Sequence, residues 1–387
     1  MAKTNYLGQF IRECRTNLGM TSRKIEELSS KGRYTKISHS NLIAIERGDH
    51  VPTFDKILTL SLLMNVPTHH FEERLKLDML GAPEAPEGAD YESLSEEGRE
   101  YLSLGDYEKA MNCFAQSYMF LEKERGCSEN EKMLKQFEAR LNVANCRVRV
   151  GIPVVAKEEL EELLSEELLP DALVVKVSYV LSEIYRELKN YRVALRHAKD
   201  ALDLSKDLKD EELTAKILNT LATIYYQKSD YEKANALYRQ AMKTFQNAGN
   251  ERVVALIKGN LAVCYTAQGN FTEAIRLSEE GLKVARGSRD ARAVASALAS
   301  LQKVYFLKKN FALSKKYGQE AKDMAQEKDF KDYLFISLFY LWRVAQEEKK
   351  TKLTTVFYER LITLSRKVEV SFPEIEEFKR LKAFEGH

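Results

Sequence analysis

Residues 221–234 read LATIYYQKSDYEKA, and this stretch decides the fold because its pattern recurs along the chain. Leu221, Tyr225, Tyr231 and Ala234 have equivalents at intervals of 40 residues, once before this stretch and twice after it. A turn with Asp, Asn or Gly separates two helical patterns in each copy, and a period of this length predicts stacked helical hairpins. The other copies are LSEIYRELKNYRVA at 181–194, LAVCYTAQGNFTEA at 261–274 and LQKVYFLKKNFALS at 301–314.

The repeated pattern resembles the tetratricopeptide repeat in a long, 40-residue form. In that family the first helix of a hairpin carries Leu and an aromatic residue, and the second carries a small residue where the two helices pack closely. We predict an all-α fold in which about seven such hairpins form a right-handed α-solenoid over residues 91–368. A capping helix within residues 369–387 is expected to cover the end of the array.

The first 78 residues follow a different pattern and predict a separate domain of five short helices. A stretch rich in Pro and Gly, residues 79–90, breaks the helical pattern and predicts an interdomain linker. Residues 1–77 carry 12 Lys and Arg against 8 Asp and Glu, so the modest basic excess of the chain lies at its N-terminus. This charge distribution alone is weak evidence for a nucleic-acid partner.

Three segments of the N-terminal domain resemble the helix-turn-helix family of phage repressors (the Xre/Cro type). They are LGQFIRECR at 7–15, ISHSNLIAIERG at 37–48 and VPTF at 51–54. In that family the N-terminus of a recognition helix enters the major groove of double-stranded DNA, and basic residues around it contact phosphates. The resemblance implies base contacts from His39, Ser40 and Asn41. It implies phosphate contacts from Ser38, Arg12, Arg15, Arg23, Lys24 and Arg47.

The domain departs from the family pattern at three places. Ser22 replaces the Gln that usually begins the second helix, and Glu26 replaces the small Ala four residues later. The turn Ser29–Lys36 is several residues longer than usual, and it is either a wing that reaches the DNA backbone or a tolerated surface loop. These departures also leave open a different function for the whole domain, in which it no longer binds DNA and serves dimerisation.

Ligand binding in solenoids of this kind takes place on the concave face, which the first helix of each hairpin lines. Asn residues suit a groove that holds an extended peptide, because the amide both donates to and accepts from a peptide backbone. The family's inward-facing positions, together with nearby Asn residues, correspond here to Arg140, Asn142, Asn145, Tyr179, Glu183, Asn219, Thr223, Tyr226, Asn260, Lys303 and Phe306.

The domain order is similar to that of the peptide-responsive RRNPP regulators of Gram-positive bacteria. The resemblance implies a homodimeric transcription regulator, used in quorum sensing, whose repeat groove senses a short signalling peptide and controls DNA binding. The alternative is a scaffold whose array docks a protein partner, while the N-terminal domain serves localisation or dimerisation. Phosphate-binding loops, Gly-x-Ser-x-Gly and His-Glu-x-x-His are absent from the sequence, so we expect neither an enzyme nor a cofactor or metal site.

The composition supports a cytoplasmic protein that does not enter a membrane. Apolar residues make up 44% of the chain and charged residues 30%, which argues against disorder. The sequence contains neither an apolar run of membrane-spanning length nor an apolar signal segment at its start. The five cysteines lack metal-ligand or redox spacing and are interpreted as small apolar residues in a reducing compartment.

Overall fold

The computed structural model of the chain describes residues 5–31, 34–80, 90–121, 128–288, 290–368 and 372–385. All regular structure within these ranges is α-helical, which confirms the predicted fold class. The helices are α1 (Tyr6–Asn17), α2 (Ser22–Ser30), α3 (His39–Arg47), α4 (Phe54–Met64), α5 (Thr68–Leu80), α6 (Tyr91–Leu104), α7 (Tyr107–Leu121), α8 (Glu129–Arg149), α9 (Pro153–Leu164), α10 (Asp171–Glu187), α11 (Tyr191–Asp207), α12 (Glu211–Gln227), α13 (Tyr231–Asn247), α14 (Glu251–Ala267), α15 (Phe271–Gly287), α16 (Ala291–Leu307), α17 (Phe311–Glu327), α18 (Lys331–Glu347), α19 (Thr351–Ser365) and α20 (Pro373–Glu385).

The chain divides into two compact units, Met1–Ala201 and Leu202–His387, and the boundary falls inside α11. The predicted linker at 79–90 lies mostly outside the described residues, because α5 continues to Leu80 and the description resumes at residue 90. None of the helices in the described ranges is long and apolar enough to cross a membrane.

The five N-terminal helices pack around a small apolar core. Ile11, Ile25, Leu42 and Phe71 come from four different helices and are fully buried in it. Side-chain caps fix where the helices begin: the hydroxyl oxygens of Thr21 and Ser38 accept hydrogen bonds from backbone N–H groups in the first turns of α2 and α3. Gly48 ends α3 in the left-handed region, where a side chain would be strained.

Seven helical hairpins, α6/α7 to α18/α19, follow one another in the described part of the array. The repeated leucines of the first helices and the repeated small residues of the second helices are buried, as the pattern predicts. The repeated aromatic residues are mostly only half-buried, because they lie near the turn end of each hairpin. The buried positions are Leu181, Leu221, Leu261, Leu301, Ala194, Ala234, Ala274 and Ser314.

The turns of the array share one local conformation. A residue in the left-handed region ends the first helix of each hairpin. In five of the seven hairpins an Asp or Asn follows and caps the second helix through its side chain, whereas Ile152 and Lys350 take that place in the other two without a side-chain cap. Gly269 adopts the left-handed conformation at a φ of 76° without strain. Lys189, Ser229 and Lys309 adopt it in their own turns, and each is strained by about 1–2 kcal/mol. The recurring Asp or Asn therefore marks a helix start.

The last helix of the N-terminal domain is joined to the array by a helix cap, within the first unit. Helix α9 begins with Pro153 and its N-cap Ile152 supplies no side-chain hydrogen bond. The carboxylate of Glu73 in α5 fills that role, because it accepts hydrogen bonds from the backbone N–H groups of Val154 and Val155 at 2.8 and 3.0 Å. A carboxylate there also interacts favourably with the positive end of the helix dipole.

Further contacts surround this cap. The Lys76 ammonium donates to the carbonyl oxygen of Val150 at 2.6 Å, and the Arg74 guanidinium pairs with Glu158 of α9. Leu77 is buried against Ile152 and Val155. Together these contacts make the N-terminal domain and the second hairpin one packed body.

We predict that Glu73→Ala destabilises this body by about 1–2 kcal/mol, because two backbone N–H groups lose their acceptor. The measurement is thermal unfolding followed by circular dichroism. Glu72→Ala is the matched control, since Glu72 is exposed on the same helix and its loss should leave the transition unchanged. Equal midpoint temperatures of unfolding for the two variants would contradict a role for Glu73 as a cap.

Candidate DNA-binding and ligand-binding sites

The N-terminus of α3 is the predicted base-reading element. His39, Ser40 and Asn41 form its first turn, and the hydroxyl oxygen of Ser38 accepts a hydrogen bond from the backbone N–H of Asn41 at 3.2 Å. Ser40 is exposed, whereas the amide oxygen of Asn41 is buried and has no hydrogen-bond partner among the described residues. Reading an adenine edge with both amide groups of Asn41 would therefore require this side chain to rotate.

The two substitutions that set α2 apart from its family both contact the start of α3. The Glu26 carboxylate accepts a hydrogen bond from the backbone N–H of His39 at 3.2 Å, and the Ser22 hydroxyl lies 2.8 Å from His39 Nδ1. A negative charge at a helix N-terminus stabilises it. Ser22 and Glu26 thus fix how α3 is presented, and they place a carboxylate beside the predicted DNA contacts.

The predicted phosphate-contacting residues differ in how free their charges are. Arg12, Arg23 and Arg47 are exposed. Lys24 is also exposed, but it pairs with Glu27 at 3.1 Å. Arg15 uses its guanidinium within the domain: it donates to Glu46 of α3 at 2.6 and 3.0 Å and to the carbonyl oxygen of Met20. The hydrogen bonds of the Arg15 guanidinium link α1 to α3, and this arrangement fits a structural role better than a DNA contact.

The predicted groove residues fall in both units. In the first unit, Arg140 pairs with Glu162 and Glu166 of the neighbouring segment, and Glu183 pairs with Arg149 at 3.8 Å. Asn142, Asn145 and Tyr179 are half-buried on the same first helices, α8 and α10.

In the second unit the predicted residues make contacts with one another and with their neighbours. The Asn260 amide donates to Asn219 Oδ1 at 3.2 Å, which links α12 to α14. The Thr223 hydroxyl lies 3.0 Å from the Tyr238 hydroxyl, and the ring of Tyr226 lies against that of Tyr231. Asn219 and Asn260 are therefore a predicted pair whose side chains the structure brings together across two hairpins.

A cavity of the second unit lies beside that pair. It has a volume of about 600 Å³ and is lined chiefly by α14 and α16, the first helices of successive hairpins. Asn260 is the one predicted residue that lines it. Its walls include small residues and exposed apolar ones, and ion pairs Arg252–Asp290 and Arg292–Asp332 lie at its edge. The other lining residues include Leu256, Gly259, Val263, Ser278, Ala293, Ser296, Ala297, Ser300 and Tyr333.

Sequence reasoning missed most of this cavity because it chose positions near the C-terminal ends of the first helices. The cavity lies one to two turns nearer their N-terminal ends. A signal was present in residues 291–300, which read ARAVASALAS, since a helix of small residues leaves space beside it.

The C-terminal helix α20 pairs with one predicted groove residue, Lys303. The Glu374 carboxylate is buried and accepts hydrogen bonds from the Lys303 ammonium and the Tyr340 hydroxyl, both at 2.8 Å. The ring of Phe306 packs against that of Tyr340. Lys303 is thus already neutralised by this chain, although the sequence predicts it as a ligand contact.

Burial and neighbouring groups shift the pKa of the Glu374 carboxyl in opposite directions. Burial is the largest of these effects and would raise the pKa of this carboxyl, but the nearby Lys303 charge and the hydrogen bonds from Lys303 and Tyr340 together outweigh it. The pKa of Glu374 therefore lies below its ordinary value. A depressed carboxyl pKa stabilises the fold above the unfolded-state value of about 4.3, and that stabilisation is lost as the pH falls through the folded-state value.

Comparison with known proteins follows the same division of the chain. The sequence model of a helix-turn-helix domain family matches residues 8–71, and tetratricopeptide-repeat models match residues 91–119, 174–247 and 253–327. Among curated proteins, a comparison by sequence finds no match.

Solved structures share the fold at low identity. A Rap protein complexed with competence and sporulation factor is 15% identical, with a TM-score of 0.57 over 93% of this chain and 98% of that one. The apo form of RapI is 16% identical, with a TM-score of 0.55 over 72% and 98%. Aspartyl phosphate phosphatase F from Bacillus subtilis is 14% identical, with a TM-score of 0.54 over 96% and 98%.

The chain is a helix-turn-helix protein with a C-terminal tetratricopeptide-repeat array. The array shares its fold with the Rap proteins, as the predicted resemblance implies.

We predict that Glu374→Gln lowers the stability of the second unit at pH 7 by roughly 1–3 kcal/mol, because Lys303 loses its counter-charge. The difference between variant and wild type should shrink as the pH falls through the depressed pKa of Glu374. Trp342, the single tryptophan, is buried against Phe378 of α20, so its fluorescence during urea unfolding is the measurement. Glu359→Gln, at an exposed site, is the control. A difference that does not change with pH would contradict this role.

Proposed function

We propose that the chain is a DNA-binding transcription regulator whose repeat array binds a short signalling peptide and thereby controls DNA binding. The observation that carries the proposal is the cavity beside Asn260, in a chain whose N-terminus matches a helix-turn-helix family. The proposal assigns the chain no catalytic role.

The chemistry of the cavity fits a peptide. Its volume of about 600 Å³ lies within the range of about 300–1,000 Å³ for ligand sites. Leu256 and Val263 offer apolar surface to a side chain. The hydroxyl of Ser278 is buried and lacks a hydrogen-bond partner within the described ranges, so a polar ligand group would satisfy it.

A peptide site also needs hydrogen-bonding groups for the peptide backbone, and the paired amides of Asn219 and Asn260 supply them. One bond joins them, which leaves the Asn260 carbonyl and the Asn219 amino group to accept from and donate to a ligand. The likeness to a Rap protein solved with competence and sporulation factor supports a ligand in an array of this fold.

DNA binding is supported by the exposed arginines around α3 and by the capped N-terminus of that helix. Arg12, Arg23 and Arg47 present three positive charges to solvent in a domain with a basic excess. Phosphate contacts of this kind do not depend on base sequence, so they are testable without a known operator.

We predict that Arg47→Ala weakens binding to a duplex of random sequence at low salt about threefold to tenfold. The slope of log affinity against log salt concentration should fall by about 1, because one phosphate contact is lost. Fluorescence anisotropy of a labelled duplex at several salt concentrations is the measurement. Arg380→Ala, an exposed arginine of α20, should bind like the wild type. Failure of the wild-type chain to bind duplex DNA at low salt would sink the proposal of a DNA-binding regulator.

We predict that a displayed library of random heptapeptides, panned on the full chain, yields peptides that need Asn260. Asn260→Ala should weaken them at least tenfold, about 1.4 kcal/mol, because their backbone loses its hydrogen bonds. Asn247→Ala is the control, since Asn247 is exposed at the end of a second helix. Peptides that bind Asn260→Ala equally well would place the site elsewhere. Recovery of a stoichiometric protein partner instead would favour the scaffold.

A further inference from the structure

The turns within the last two hairpins of the array carry a dense positive charge. Residues 308–316, at the α16/α17 turn, include four lysines and no acidic residue, and residues 347–352, at the α18/α19 turn, include three lysines and two glutamates. The chain after residue 77 carries 48 Lys and Arg against 50 Asp and Glu, so this positive charge is local. The seven lysines, which we call the basic edge, are Lys308, Lys309, Lys315, Lys316, Lys349, Lys350 and Lys352.

An ion pair shows that the two turns lie next to each other. The Glu348 carboxylate accepts a hydrogen bond from the Lys315 ammonium of the preceding hairpin at 2.6 Å, and it pairs with Lys350 at 2.8 Å. The other five lysines are exposed, and none of them forms an ion pair with an acidic group in the described ranges. One glutamate shared by two lysines therefore leaves a strongly positive surface across both turns.

The loops at the opposite ends of the same helices have a different charge pattern. Residues 327–332 read EKDFKD, and there Lys328 pairs with Glu327 at 2.9 Å and Lys331 with Asp329 at 3.8 Å. Acidic residues interspersed in this way neutralise the loop. The basic edge has fewer of them, so its field is left to attract an anionic partner.

Two lysines of the basic edge hold a backbone conformation that disfavours them. Lys309 and Lys349 lie in the left-handed region at φ values of 58° and 55°, where the preceding hairpin has Gly269. Glycine adopts this conformation without strain, whereas a lysine does not. A positive charge at the end of α16 would favour the helix dipole, but Lys308 already supplies it at a φ of −73°. Strain at two equivalent positions of one surface indicates a function for the side chains.

We propose that the basic edge binds the phosphate backbone of duplex DNA, in addition to the contacts of the helix-turn-helix domain. Lysine binds phosphate as a point charge on a flexible stem, so it requires no shaped pocket. Duplex DNA carries one negative charge per about 1.7 Å of its axis, which suits several free lysines confined to two adjacent turns. The inference rests on the proposed function in one respect, because the helix-turn-helix match is what makes duplex DNA a partner of this chain.

The experiment replaces the two strained lysines by the residue that the turn favours. In the full chain, Lys309→Gly combined with Lys349→Gly should raise the midpoint temperature of unfolding by about 1–3 °C per substitution, because strain is relieved. The same double variant should bind a long labelled duplex of random sequence roughly tenfold more weakly at low salt. The slope of log affinity against log salt concentration should fall by about 2, because two phosphate contacts are lost. A merely structural role for these lysines would not combine higher stability with weaker binding.

Two further variants control for backbone and charge. Lys209→Gly is matched in conformation, since Lys209 is exposed at a φ of 56° in a loop of the opposite edge, and it should leave DNA affinity unchanged. Lys309→Arg combined with Lys349→Arg keeps both charges and should bind DNA like the wild type. Unchanged affinity in the double glycine variant, or an equal loss in Lys209→Gly, would overturn the inference. A double glycine variant that binds a labelled polyglutamate peptide more weakly but duplex DNA equally well would also overturn it, in favour of an acidic protein partner.

The outcomes separate this inference from the proposed function. If Arg47→Ala weakens DNA binding and the double glycine variant does not, the basic edge is refuted and the contact of the helix-turn-helix domain stands. If the double glycine variant weakens binding and Arg47→Ala does not, the contact of the helix-turn-helix domain is refuted and the basic edge stands. A wild-type chain that binds no duplex DNA overturns both.

Discussion

Two backbone N–H groups of α9 donate hydrogen bonds to the Glu73 carboxylate, and these bonds join the helix-turn-helix domain to the second hairpin of the repeat array. Without Glu73, the N–H groups of Val154 and Val155 would lack a side-chain acceptor, because the N-cap residue Ile152 has no polar side chain. The surrounding contacts of Arg74 and Lys76 hold the same two elements together. These contacts join α5 of the helix-turn-helix domain directly to the second hairpin.

The architecture could be predicted from the sequence because it depends on local, repeated chemistry. Four successive hairpins carry a buried Leu, a small residue in the second helix and an Asp or Asn that caps the second helix, and these recur every 40 residues. The positions of those four hairpins follow from that period alone. The cap of α9 could not be predicted, since it joins residues about 80 positions apart whose pairing depends on how two domains pack.

The candidate sites could be predicted only in part, for the same reason. Lys303 has the right position and charge for a groove residue, but Glu374, 71 residues later, neutralises it. Arg15 is likewise bound by Glu46. Ser22 and Glu26 stand out in the sequence as departures from their family, yet their contacts with His39 are visible only once the long turn has placed α3. A sequence pattern predicts which type of residue stands at a site. Whether that side chain is still free to bind a ligand depends on residues far away in the sequence that pair with it.

Backbone amide hydrogen exchange at Val154 and Val155 tests most directly whether the helix-turn-helix domain and the second hairpin form one packed body. The first N–H groups of a helix normally lack partners and exchange quickly. Helix α10, whose N-cap Pro170 provides no side-chain cap, supplies an internal reference at Ala172. We predict that Val154 and Val155 exchange far more slowly than Ala172 in the full chain. Exchange of all three at similar rates would contradict the coupling of the two elements.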